Sequence, residues 1–175
     1  MKSTLLFYGI VSISVFLLPS CGGNSASSDP DGGEATVAEN KKMTADEMGA
    51  AVSSLYVSAM GDLNAMLQDG PTATEAEPKV AALKEEYIQK LVEYGKKRDE
   101  LGEDERSKMD LAIRLGLNDA YRDQVYTTYS EVVNSYSENM EFRNLLTSFN
   151  ILTQYANFEL LKQQEPDEAR RLGIE

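Results

Sequence analysis

Histidine and tryptophan are absent from this 175-residue chain, and cysteine occurs once. Without histidine, the commonest zinc ligand, haem ligand and general base are missing together. A lone cysteine makes no intrachain disulfide and no Cys-x-x-Cys site. Basic residues are also scarce, with 17 Lys+Arg against 29 Asp+Glu and a net charge of −12. That surplus repels phosphate, which argues against nucleic acid or anionic lipid as a charge-driven partner. One uncharged apolar run stands out, Leu5 to Leu18. It falls short of the roughly 20 residues that span a bilayer as a helix.

The run has the length of a signal-peptide core, follows Lys2 and precedes the small residue Ser20 and then Cys21. Leu18-Pro19-Ser20-Cys21 has the form of a lipobox, with Leu at −3, a small residue at −1 and Cys at +1. Over these first 21 residues the chain resembles a bacterial lipoprotein precursor. The resemblance implies removal of a 1–20 signal peptide, a diacylglycerol thioether on Cys21 and a further acyl chain, such as palmitate, on its new amino group. It also implies a place in the bacterial cell envelope, with Gly22 at +2 suggesting the outer membrane. Each buried methylene contributes about 0.8 kcal/mol, so two or three acyl chains hold a protein durably on a membrane.

Residues 21–43 are rich in Gly, Ser and Asp without periodicity and read as a flexible linker. Asp29, Asp31 and Glu34 miss the spacing of a calcium loop. From Thr44 to Gln163 the pattern is helical, with no strand alternation. Thr44-Ala45-Asp46-Glu47 is a capping box, and Asp69-Gly70-Pro71 stops the helix it starts. A second helix is expected from Pro78 to Leu101, and a short, well-buried third from about Asp104 to Leu117. A fourth is expected from about Asn118 to Ser137 and a fifth from near Met140 to Gln163, with a charged tail over 164–175. The fold class is therefore all-α, an antiparallel four-helix-type bundle with one extra short helix.

Bundles that hold two metals use Glu-x-x-His pairs, which this chain cannot supply. No Gly-rich phosphate loop and no nucleophile with a base is present. The paired carboxylates Glu85-Glu86, Asp99-Glu100 and Glu103-Asp104-Glu105 sit among Lys and Arg, as on a solvated helix face. No cofactor, metal or catalytic residue is expected. The tyrosines at helical spacing read as core with hydroxyls at its rim.

Charge is unevenly spread. From Glu75 to Asp110, 19 of 36 residues are charged, but from Gln124 to Asn157 only 4 of 34 are. Projected as an α-helix, the last segment places Phe142, Leu145, Leu146, Phe149, Leu152 and Leu160 on one side. Ile151, Tyr155 and Phe158 fall on the other. That second stripe is either covered by a neighbouring helix or forms a contact surface for a protein partner or a second copy, since loss of charge with aromatic enrichment marks interface cores. The expected function is a lipid-anchored, non-enzymatic interaction or assembly-accessory domain. The alternative is a carrier of an apolar small molecule or lipid in the bundle interior.

Overall fold

The computed structural model describes residues 42–174. Cys21, the leader and nearly all of the linker lie outside the described residues. Thr44 accepts from the Glu47 N–H while the Glu47 carboxylate accepts from the Thr44 N–H, and this capping box opens α1, Ala45–Leu67. Gly70 ends it with a left-handed φ of 63°. A second capping box, Thr72 with Glu75, opens α2, Ala73–Asp99, about 40 Å long. This helix starts a turn and a half before the expected Pro78, because Pro78 gives up only one intrahelical bond and its ring lies on an exposed face.

Helix α3 spans Glu103–Ala120 and α4 spans Gln124–Ser135, so the third helix is longer and the fourth shorter than the sequence pattern suggested. The segment expected as one helix from Met140 to Gln163 is divided. It comprises α5, Met140–Thr147, a 3-10 segment, Ser148–Ala156, and α6, Phe158–Gln164. Asn157 makes the last break by capping α6, its side chain accepting from the Leu160 N–H. The expected charged tail folds as well: α7, Pro166–Arg171, closes with Gly173 at φ 69° and an Ile174 N–H donated to the Ala169 carbonyl. This is a Schellman ending, and it docks Leu172 and Ile174 onto a core that contains Ala169.

Seven α-helices and one 3-10 segment, with no strand, make up the described residues. The bundle is all-α, with α2 and the 3-10 segment packed together and α1 touching α2, α3 and α4. Its closest pair is α1 with α3. A Cβ added at Gly49 would sit 2.6 Å from both the Ala112 methyl and the Met109 carbonyl, and one at Gly116 would overlap Ser53. Gly49 and Ser53, one turn apart, therefore meet Ala112 and Gly116, one turn apart in the same order. Helices α1 and α3 run parallel and almost backbone to backbone.

Candidate interaction surface

The surface proposed from Ile151, Tyr155 and Phe158 is not a surface. Tyr155 is 0% exposed and Phe158 8%, and Ile151 is half-buried. The cause is backbone geometry. A 3-10 helix repeats every three residues, so Phe149, Leu152 and Tyr155 share one edge, and all three are fully buried. The Tyr155 hydroxyl donates to Glu168 of α7, 3.2 Å away, so the C-terminal helix covers what an α-helical projection left bare. Phe158 lies against Gly95 of α2, where a Cβ would collide with its ring.

Tyr56, Tyr87, Tyr129 and Tyr155 are core residues whose hydroxyls find partners at its edge, whereas Tyr121 is 45% exposed, contrary to the expectation that the tyrosines are core. Tyr87 donates to Asp62 at 2.6 Å, Tyr129 to the Leu146 carbonyl at 2.9 Å and Tyr136 to the Pro71 carbonyl at 2.8 Å. Burial pushes the hydroxyls of Tyr56, Tyr87, Tyr129 and Tyr155 well above their ordinary pKa. Tyr56, Tyr121, Tyr126 and Tyr129 form a chain of ring contacts linking α1 to α4.

Arg98 departs from the solvated helix face expected of the Lys and Arg residues beside Asp99-Glu100. It is 4% exposed and grips Asp110 of α3 through two bonds of 3.0 and 2.9 Å, with Glu159 of α6 at 3.5 Å. The Asp110 carboxylate holds the Arg98 pKa above its usual value. Arg106 donates to the Asp99 and Leu101 carbonyls and reaches Glu159, closing the end of α2. A polar hollow of about 460 Å³ lies over these groups. Both guanidinium groups are already committed to protein acceptors, so the hollow is a clamp joining α2, α3 and α6. Among the described residues no three His, Cys, Asp or Glu side chains come together to hold a metal.

Helix α3 is where the surface turns apolar. Met109 and Ala120 face inward, yet Leu111 is 45% and Leu115 55% exposed, against the expectation that this helix is well buried. On one flank Ile113 and Leu117 line a groove of about 350 Å³ with Leu160, Gln154 and Asn157, Arg114 standing at its edge. On the other flank lie Leu111 and Leu115. Because α1 and α3 run parallel, that flank faces the same way as Ala50 and Ser54 of α1, both exposed and both small. No charged residue occurs on α1 from Met48 to Gly61. An uncharged shelf with two leucines at its edge thus interrupts a strongly acidic molecule. The sequence pattern hides it, because apolar residues spread around the third helix read as burial; the signal is the run of small residues on α1, whose close approach to α3 leaves no room to cover Leu111 and Leu115.

None of the described helices is long and apolar enough to cross a membrane. No family model, no curated protein and no solved structure matches this chain.

Proposed function

We propose that this protein is a lipid-anchored component of a bacterial envelope whose helical domain acts by binding a protein partner and not by turning over a substrate. The observation that carries the reading is the uncovered α1–α3 shelf, on which Leu111 and Leu115 keep about half of their surface in water. Two neighbouring exposed leucines beside an uncharged helix face, on a strongly acidic molecule, support an interaction role. The anchoring half of the reading rests on the lipobox-like Leu18-Pro19-Ser20-Cys21 and the apolar run before it, and Gly22 at +2 supports the outer membrane as the proposed location. An apolar carrier is less well supported. The bundle axis is filled by fully buried side chains, among them Tyr56, Phe142, Phe149 and Leu152, and the groove beside Leu160 opens to solvent.

The test has two arms. Cys21→Ala removes acyl labelling and shifts the protein from the membrane to the soluble fraction. Leu111→Glu with Leu115→Glu abolishes crosslinking to its partner in intact envelopes while circular dichroism stays helical. Retained membrane association in the first arm, or unchanged crosslinking in the second, removes the corresponding half of the reading.

A further inference from the structure

The outward edge of α3 carries Asp104, Lys108, Leu111, Leu115, Asn118 and, in the turn that follows, Arg122, all exposed. Their steps are four, three, four, three and four residues, the spacing of a coiled-coil seam. That spacing reads the same from either end. Two copies of α3 laid antiparallel about a two-fold axis near residue 113 therefore set Leu111 against Leu115, Lys108 against Asn118 and Asp104 against Arg122. Acid meets base at both ends and leucine meets leucine at the centre. A parallel pairing would instead oppose Asp104 to Asp104 and Arg122 to Arg122. Neither Asp104 nor Arg122 has an ion-pair partner among the described residues, whereas Arg98, Arg106 and Lys108 all do. Beside the seam, Ala50 and Ser54 are too short to obstruct an approaching helix.

We propose that the occupant of the α1–α3 shelf is a second copy of this chain, docked through an antiparallel, two-fold α3–α3 contact. A two-fold contact requires one patch to complement itself, and the order of charges along this seam meets that requirement. The inference rests on the partner-binding reading and names the partner.

The test uses the full-length chain in intact cells, with Leu115→Cys carrying a short maleimide–benzophenone crosslinker and the unsubstituted chain as a control for labelling at Cys21. The expected product joins two copies. Asp104→Arg lowers its yield about ten-fold, the effect of about 1.4 kcal/mol from two opposed pairs turned repulsive. Adding Arg122→Asp to Asp104→Arg restores the yield, because the swapped charges again oppose each other across the axis. Failure of that restoration overturns the register. A product joining the chain to a different protein overturns the second copy and leaves the partner-binding reading standing, while no product at all overturns both. Leu111→Cys serves as the probe position if Leu115→Cys loses its helical circular dichroism.

Discussion

Single residues decide how closely the helices approach. Gly116 faces Ser53 with no space for a Cβ, so Gly116→Ala must push α3 away from α1. The expected cost is about 1–3 kcal/mol, read as a lower thermal midpoint, as for other overpacked sites. Ser53→Ala should not rescue it, because the Ser53 Cβ itself would lie 2.5 Å from the new methyl; full rescue would place the clash at the hydroxyl alone. The Arg98–Asp110 pair makes a second residue-scale prediction. Arg98 is buried while the Asp110 side chain is 42% exposed, so the two deletions are unequal. Asp110→Ala leaves the buried Arg98 cation with only the longer Glu159 contact at 3.5 Å and should cost about 2–4 kcal/mol, whereas Arg98→Met leaves an Asp110 carboxylate that water can reach and should cost less. Urea denaturation of both variants checks the order, and equal losses would show that burial does not set it. Nothing in the Lys96-Lys97-Arg98 sequence distinguishes Arg98 from its neighbours; its role depends on where α3 returns, a tertiary fact.

At the scale of elements, the C-terminal helix is held by charge. Arg171 of α7 donates to both Glu85 oxygens, at 3.2 and 3.0 Å, and to Glu168. The Arg171 hydrogen bonds keep the Glu85 carboxyl below its ordinary pKa. A depressed carboxylate stabilises the folded state above its unfolded pKa of about 4.3 and loses that contribution as pH falls through the folded value. Docking of α7 should therefore loosen below about pH 4.3, visible as faster hydrogen exchange at residues 166–174 after correction for intrinsic rates. Arg171→Ala should loosen it at neutral pH and flatten the pH dependence; a helix that exchanges equally at both pH values in the parent would refute the ionic latch.

Much of this architecture is legible beforehand. The Thr44–Glu47 capping box, the Asp69-Gly70-Pro71 stop and the all-α class follow from local chemistry, and the structure has them. The α7 signals were equally local, with Pro166 first, acids next, Arg170-Arg171 last and Gly173 beyond, but the segment is too short to show periodicity. The 3-10 stretch was not legible, since Phe149, Leu152 and Tyr155 at three-residue spacing fit either helix type until the turn of the backbone is known. That ambiguity moved Tyr155 from the core to an imagined surface. Tyr155→Glu should accordingly unfold the domain in circular dichroism instead of sparing it.

For the whole molecule, the governing quantity is the net charge of −12. Two such bodies about 30 Å apart repel by roughly 7 kcal/mol at 0.01 M salt and by less than about 1 kcal/mol at 0.15 M, treating each as a screened point charge. The Asp104–Arg122 pairs work the other way, but exposed pairs are worth only about 0–1 kcal/mol each. Screening therefore removes more repulsion than attraction. Association of detergent-solubilised copies should strengthen from 0.01 to 0.15 M salt, with the Leu115→Cys crosslinking yield rising at fixed protein concentration. The Asp104→Arg, Arg122→Asp double variant has the same net charge and should follow the same curve. A yield that falls with salt would mean that the end pairs, and not the leucine centre on its uncharged shelf, hold the copies together.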